Sequence, residues 1–134
     1  VVAEIGVMLL YPRLLQPFEE RSVLAFAFVA SAGRWLGMSF CTSAGAIVAL
    51  SLLHGLTFGA FYIAALSFLA RTVPADQRAR GQGLYGAVTF GAGGLIGFVV
   101  SGYGFDWLGG GGLFGAAAAT ELLAALVALR IARR

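Results

Sequence analysis

Residues Ser43 to Ala70 read SAGAIVALSLLHGLTFGAFYIAALSFLA, a run of 28 residues without Asp, Glu, Lys or Arg. Since about 20 apolar residues cross a hydrocarbon core about 30 Å thick, this run predicts a membrane-spanning helix. His54 lies inside the run, and an ionisable side chain within a membrane helix is costly enough to indicate a functional site. The stretch therefore predicts a helical membrane fold and marks where a site lies.

The composition of the whole chain is typical of a membrane protein. Of its 134 residues, 60% are hydrophobic and 11% are charged, and the mean hydropathy is +0.90. Roughly a quarter of residues are charged in soluble domains. The net charge of +3 comes from Arg residues that lie mostly between the apolar runs, which indicates membrane orientation rather than a nucleic-acid surface.

Neither a cofactor nor a metal site is predicted. Cys41 is the single cysteine, so an internal disulfide is excluded, and one thiol alone cannot form a zinc site. The chain begins with Val, and no basic segment precedes the first apolar run, so the sequence does not resemble a signal peptide. We expect that the chain begins partway through a longer protein.

Hydropathy divides the chain into five predicted spans of an all-α integral membrane protein. They cover about residues 1–16, 23–41, 44–70, 82–107 and 113–129. The first is short for a span, which favours a truncated span over an interfacial helix. In the fourth span, Gly93, Gly97 and Ser101 form a small-residue series typical of close helix packing. Gly109 to Gly112 predict a flexible turn before the fifth span.

The distribution of Arg predicts the orientation of the chain. Eight of the nine Arg residues belong to alternate connectors or the tail: Arg13 and Arg21 around the first connector; Arg71, Arg78 and Arg80 around the third; and Arg130, Arg133 and Arg134 in the tail. The alternating connectors around Thr42 and Asp106 contain none. Because cytoplasmic loops collect basic residues, we predict a cytoplasmic C-terminus in a bacterial-type inner membrane.

Three ionisable residues, each inside a different predicted span, form the candidate site. Glu4 lies close to the predicted midplane, Arg34 lies in the outer half of the second span, and His54 lies in the third. We expect all three to converge on one polar interior. The alternatives are a Glu near a frayed end, an Arg that reaches the membrane surface, and a His that is a packed structural donor.

The face of the third span that carries His54 also carries Thr57, Phe58, Phe61 and Tyr62, at intervals of three and four residues. Such a stripe is either helix packing or the wall of a cavity for an organic solute. Glu121 interrupts the fifth span, where it either pairs with an Arg or serves as a proton site.

The segment from Arg34 to Ala44, which leads to His54-Gly55-Leu56-Thr57, resembles the ninth and tenth helices of major facilitator superfamily transporters. The whole chain is similar to the C-terminal half, helices eight to twelve, of the branch that contains the lactose permease and phenylpropionate permease-like proteins. The resemblance implies a C-terminal helical bundle. It also implies that Glu4 is a substrate-binding acid and that Arg34 and His54 act in proton coupling and substrate binding.

The chain departs from this family pattern at two places. Where the lactose permease has the acid that carries the proton, this chain has Thr57, which cannot titrate. The proton therefore falls to Glu4, His54 or Glu121, or the carrier is a proton-independent facilitator. The usual glycine-and-basic loop motif is also reduced, to Pro12-Arg13 through Arg21.

From the resemblance we expect a solute:proton symporter that works by alternating access. Its solute is a sugar, a nucleoside or an aromatic acid, and its other partners are the bilayer and a missing N-terminal bundle, without nucleic acid. A non-transporting membrane scaffold or assembly subunit is the alternative. An enzyme is not expected, because the sequence has no Gly-x-Ser-x-Gly, His-Glu-x-x-His or Cys/His ligand cluster.

Overall fold

The structure, a computed structural model, describes residues 5–7, 9–11 and 17–130. These residues form helices and short connections without a strand, so the predicted all-α fold class is confirmed. Residues 5–7 and 9–11 are helical. The elements that follow are α1 (Glu20–Phe40), α2 (Ala44–Thr72), a 3-10 turn (Ala75–Gln77), α3 (Arg78–Gly86), a π-helical segment (Ala87–Ala92) and α4 (Gly93–Leu129).

Three helical segments within the described part of the chain are long and apolar enough to cross a membrane: Glu20–Phe40, Ala44–Thr72 and Ala75–Leu129. The first two extend a few residues beyond the predicted spans at 23–41 and 44–70. The third contains both the predicted spans at 82–107 and 113–129.

Helices α1 and α2 form an antiparallel pair joined by a short extended connector. α1 ends where Cys41 adopts extended backbone angles, and α2 begins after Ser43. At the other end of the pair, Arg71 Nη2 lies 2.8 Å from Glu20 Oε2. Glu20 lies in the first turn of α1 and Arg71 in the last turn of α2, where the helix dipoles favour an acid and a base respectively.

The polar segment after α2 is more helical than its composition predicts. We expected it to be a loop up to the start of the fourth span near Gln82, but only Val73 and Pro74 leave the helical conformation. Proline disfavours the helical region for the residue before it, yet it is compatible with the first position of a new helix. Arg, Gln and Ala then have high helix propensity, which explains why the chain is helical again from Ala75.

Gly109 interrupts α4. A straight helix of 37 residues would be about 56 Å long, nearly twice the thickness of the hydrocarbon core. Gly109 has φ 66° and ψ 174°, a combination open essentially to glycine only, and the helix kinks there. The predicted turn at Gly109 to Gly112 is thus reduced to one residue, because residues 110–112 are already helical.

Helix α1 lies between α2 and the second part of α4. Its buried residues Val23, Leu24 and Ala27 pack with Ala60 and Ala64 of α2 and with Ala128 of α4. These partners on α2 and α4 are all alanines, which allow helices to approach closely in a membrane.

Three contacts give the direction of α4 relative to α1. Ser39 Oγ donates a hydrogen bond to the carbonyl oxygen of Gly111 at 2.7 Å, and the rings of Trp35 and Phe114 stack with centroids 5.4 Å apart. Ser31 Oγ donates to Glu121 Oε1 at 3.1 Å. Because the numbers fall along α1 as they rise along α4, the second part of α4 runs antiparallel to α1.

The first part of α4, residues 93–108, is largely uncovered by the described residues. Phe98 and Trp107 are 83% and 88% exposed. A Cβ atom at Gly97 would meet no heavy atom within 4 Å, and one at Gly93 would meet only the carbonyl oxygen of Val88. The expected close neighbour of the series Gly93, Gly97 and Ser101 is therefore not among the described residues, and that packing stays a prediction.

Candidate functional site

A cavity of about 250 Å³ opens between α1, α2 and the second part of α4. Residues from all three helices line it: Ala27, Phe28, Ser31, Arg34, Trp35, His54, Thr57, Phe58, Phe61 and Glu121. We call it the polar cavity. It brings five of the sequence-predicted site residues together, namely Arg34, His54, Thr57, Phe58 and Glu121.

Arg34 is buried although its side chain is long and charged. It is only 6% exposed, so it does not extend to the membrane surface as the alternative interpretation supposed. Its Cζ atom lies 4.0 Å from the centre of the Trp35 ring, a cation–π arrangement. Nη1 makes a weak contact with Met38 Sδ at 3.9 Å, and the buried Nε has no hydrogen-bond partner among the described residues. The guanidinium therefore keeps a free donor within a cavity wall.

Glu121 brings a carboxylate to the same cavity from α4. Its Oε1 accepts the hydrogen bond from Ser31, and its charge interacts with that of Arg34. Neither of the side-chain ion pairs that the structure shows within 4.0 Å, Arg21–Glu19 and Arg71–Glu20, involves Arg34. Glu121 thus faces Arg34 across the cavity without a direct ion pair.

His54 does not have the burial that the sequence predicts. We expected a buried imidazole, but His54 is exposed at the edge of the polar cavity, with its ring centroid 5.4 Å from that of Phe58. The reason is that the described helices leave most of residues 44–54 exposed, whereas α2 is buried against α1 further along, at Ala60 and Ala64.

Thr57 is buried and its hydroxyl is turned toward its own helix. Oγ1 lies 3.3 Å from the carbonyl oxygen of Leu53 and 3.2 Å from that of His54, so the hydroxyl proton has an acceptor within α2. Thr57 also borders a second cavity of about 370 Å³, which is almost entirely apolar and reaches Tyr11 and Phe26. This one side chain lies between the polar cavity and the apolar one.

Aromatic rings form one side of the site. Phe58 stacks on Tyr62 with centroids 6.0 Å apart, and both rings contact Phe90 of the π-helical segment. Phe58 lines the polar cavity, but Tyr62 does not. Tyr62 therefore packs against Phe58, and its part in solute binding stays a prediction.

The polar groups of the site include two that were not predicted from the sequence, the Ser31 hydroxyl and the Trp35 ring. Ser31 and Trp35 contact Glu121 and Arg34 respectively. Ser31 precedes Arg34 by three residues, which places both on one helix face, and this spacing was the available signal. Glu4, in contrast, lies outside the described residues, so its convergence with Arg34 and His54 stays a prediction.

The arrangement can bind a small polar molecule that has an apolar surface. The free Nε of Arg34 can donate to an acceptor oxygen, and the rings of Trp35, Phe58 and Phe61 provide apolar contact, as in typical solute sites. Within the described part of the chain, no three His, Cys, Asp or Glu side chains lie close enough to hold a metal ion.

A family model described as the MFS_1 like family matches residues 1–116. The matched range includes Arg34, His54 and Thr57 but ends before Glu121. No solved structure matches the chain.

Proposed function

Because the chain belongs to the MFS_1-like family of major facilitator transporters, we propose that it moves a small organic solute together with a proton by alternating access. Membership in this family indicates a multi-pass membrane transporter, which agrees with the apolar helices of the chain. The solute, its coupling to protons and the contribution of further helices belong to the proposal.

The polar cavity is the binding site in this proposal. The observation that carries it is the burial of Arg34 with an unpartnered Nε, since a buried donor without a partner costs free energy that an acceptor oxygen of a solute would recover. His54 and Thr57 complete the polar contacts, and Phe58 packs against the apolar part of the solute. Glu4 is proposed to reach the same site, as in the lactose and phenylpropionate permease-like branch.

Sugars, nucleosides and aromatic acids all combine acceptor oxygens with apolar faces, and we propose that the solute belongs to one of these classes. In this proposal the chain is the C-terminal half of the transporter, and an N-terminal bundle supplies the other side of the cavity. The Arg-rich connectors support a cytoplasmic C-terminus in an inner membrane.

A proton-independent facilitator is the second candidate. The observation that favours it is Thr57, a residue without a titratable group at the position where the resemblance implies the proton-carrying acid. A facilitator would equilibrate its solute across the membrane whether or not a pH gradient is present.

The test uses the full-length transporter reconstituted in proteoliposomes with labelled lactose, uridine and benzoate as probes. We expect accumulation of at least one probe above its external concentration, and above its level in protein-free liposomes, when the interior is alkaline, and loss of that accumulation in Arg34→Ala. Arg80→Ala, on the exposed surface of α3, is the matched control and should still accumulate the probe.

Equilibration without accumulation would identify the facilitator. No movement of any probe, with the protein correctly folded, would favour the scaffold alternative. Unchanged accumulation by Arg34→Ala would remove Arg34 from the mechanism.

A further inference from the structure

We propose that Glu121, on the second part of α4, is the group that carries the transported proton, and that a solute oxygen bound at Arg34 makes protonation of Glu121 favourable. This inference rests on the proposed transport function and deepens it. Four polar side chains from three helices border the polar cavity: Glu121 on α4, Ser31 and Arg34 on α1, and His54 on α2.

The candidates for proton binding in the described part of the cavity are few. Arg34 stays protonated at any physiological pH, and hydroxyl groups such as those of Ser31 and Thr57 do not titrate there. His54 lies at the exposed edge. Glu121 is the one acidic residue that lines the polar cavity among the described residues.

The hydrogen bond from Ser31 suits a carboxyl group that changes its protonation state. Ser31 Oγ is 3.1 Å from Glu121 Oε1. A serine hydroxyl donates to an ionised carboxylate, and after rotation about its C–O bond it accepts from a protonated carboxylic acid. Ser31 can therefore stay bonded to Glu121 in both states, as a donor to the carboxylate or as an acceptor from the carboxylic acid.

Arg34 links the state of Glu121 to the presence of solute. The buried guanidinium cannot lose its proton, so an ionised Glu121 balances its charge while the cavity holds no solute. Protonation of Glu121 removes that balance and also removes the repulsion between the carboxylate and an oxygen that approaches Arg34 Nε, which has no partner among the described residues. A solute oxygen that accepts a hydrogen bond from Nε stabilises Arg34 in place of the carboxylate.

The consequence is that solute and proton bind with positive cooperativity. The proton enters from water on one side of the membrane, is held on Glu121 while the solute occupies Arg34, and leaves to water on the other side once the solute dissociates. By reciprocity, solute affinity must rise when Glu121 is protonated. The charged and titratable groups that face Glu121 from the other described helices are Arg34 on α1 and His54 on α2.

The experiment separates accumulation from exchange in proteoliposomes that contain the full-length protein. The probe is whichever of labelled lactose, uridine and benzoate the unsubstituted protein accumulates. Glu121→Gln keeps the shape of the side chain but cannot bind a proton, so we expect complete loss of pH-driven accumulation with exchange of internal for external probe retained. Asp76→Asn, in the exposed 3-10 turn after α2, is the acid-to-amide control and should accumulate the probe normally.

Three outcomes would overturn the inference while the transport function stands. The first is pH-driven accumulation of the probe by Glu121→Gln. The second is the loss of both exchange and accumulation in a Glu121→Gln protein that is folded. The third is a Glu121→Asp protein that shows no accumulation. If the unsubstituted protein moves no probe, the transport function fails instead.

A second measurement needs no transport. Dicyclohexylcarbodiimide, which enters lipid and reacts with protonated carboxyl groups, should label Glu121 more strongly as the pH falls, as detected by mass spectrometry of the full-length protein. Absence of label on Glu121 at every pH would overturn the inference.

Discussion

Arg34 shows how a single residue can require a site around it. Arg34 is only 6% exposed and its guanidinium keeps its charge, so the surrounding groups must stabilise it. The structure provides an aromatic face at Trp35, a distant carboxylate at Glu121 and a sulfur contact at Met38. Among the described residues the buried Nε has no partner, and this donor is the most specific feature of the polar cavity.

The Trp35 ring should contribute measurably to stability. We expect Trp35→Leu to lower the stability of the full-length protein by about 1 to 3 kcal/mol, because it removes the cation–π contact with Arg34 and the stacking on Phe114. Thermal unfolding in detergent measures the change. Trp107→Leu is the control, since Trp107 is exposed and should matter little; equal losses in both variants would contradict the prediction.

The Thr57 hydroxyl should affect solute binding more than folding. Thr57→Val keeps the shape and removes only bonds to carbonyl groups of the same helix, so the protein should fold. We expect the KM for the transported probe to rise by up to about tenfold, the equivalent of one neutral hydrogen bond. Thr57→Ser should retain the original KM, and an unchanged KM in Thr57→Val would show that the solute does not contact Oγ1.

Helical spacing explains which site residues could be predicted and which could not. Residues at intervals of three and four share a helix face, so placing His54, Thr57 and Phe58 on one cavity follows from local geometry. The nearness of Glu121 to Ser31 depends on how α4 packs against α1, and no local pattern specifies it. The exposure of His54 likewise depends on what covers α2.

Among the helices, α4 is the one whose interruption can be explained by its glycines and by the thickness of the membrane. The long apolar segment had to change direction or leave the membrane, and four consecutive glycines at positions 109 to 112 indicated where. Which of the four would take the non-helical conformation was not predictable, because glycine can adopt it at all of these positions. The structure assigns it to Gly109.

Substitution of Gly109 should be costly because of its backbone conformation. We expect Gly109→Ala to lower stability by about 1 to 3 kcal/mol, because non-glycine residues rarely adopt φ 66° with ψ 174°. Gly97→Ala is the control: Gly97 is helical and its added Cβ would meet open space, so stability should stay equal or rise. Thermal unfolding of the two variants compares them, and a harmless Gly109→Ala would argue against the kink.

Helices α1 and α4 pack closely against each other at Ser39 and Gly111, beside the polar cavity. A Cβ atom at Gly111 would lie 3.0 Å from the carbonyl oxygen of Ser39, so Gly111→Val should push the two helices apart and weaken the bond from Ser39 Oγ. We expect a loss of about 1 to 3 kcal/mol, the usual cost of overpacking. Gly102→Val, where a Cβ meets nothing within 4 Å, should be tolerated better in the same unfolding assay.

At the scale of the whole molecule, composition was enough to predict the membrane class, because a chain with 11% charged residues and long apolar runs must place most of its helices in lipid. Composition could not predict which helices pack against each other. In lipid the apolar faces of different helices are chemically alike, so packing is decided by small residues and by a few polar contacts. Here those contacts are Ser31–Glu121 and Ser39–Gly111.

The orientation predicted from Arg can be tested with a matched pair of positions. In a Cys41→Ser background of the full-length protein, a membrane-impermeant maleimide added to intact cells should label Asp106→Cys and leave Asp76→Cys unlabelled. Both positions are exposed in the structure, so accessibility from either side of the membrane decides the result. The reverse labelling pattern would place the C-terminus outside the cytoplasm.

The ion pair between Arg71 and Glu20 has a mechanical consequence. Residues 41–43 connect α1 and α2 at one end, and this ion pair connects them at the other. The two helices should therefore move as one rigid body. Arg34 on α1 and His54 on α2 would then keep a constant distance from each other. During a conformational cycle the distance that changes most should be the one between these two helices and Glu121. Pairs of spin labels placed across that distance should detect the change.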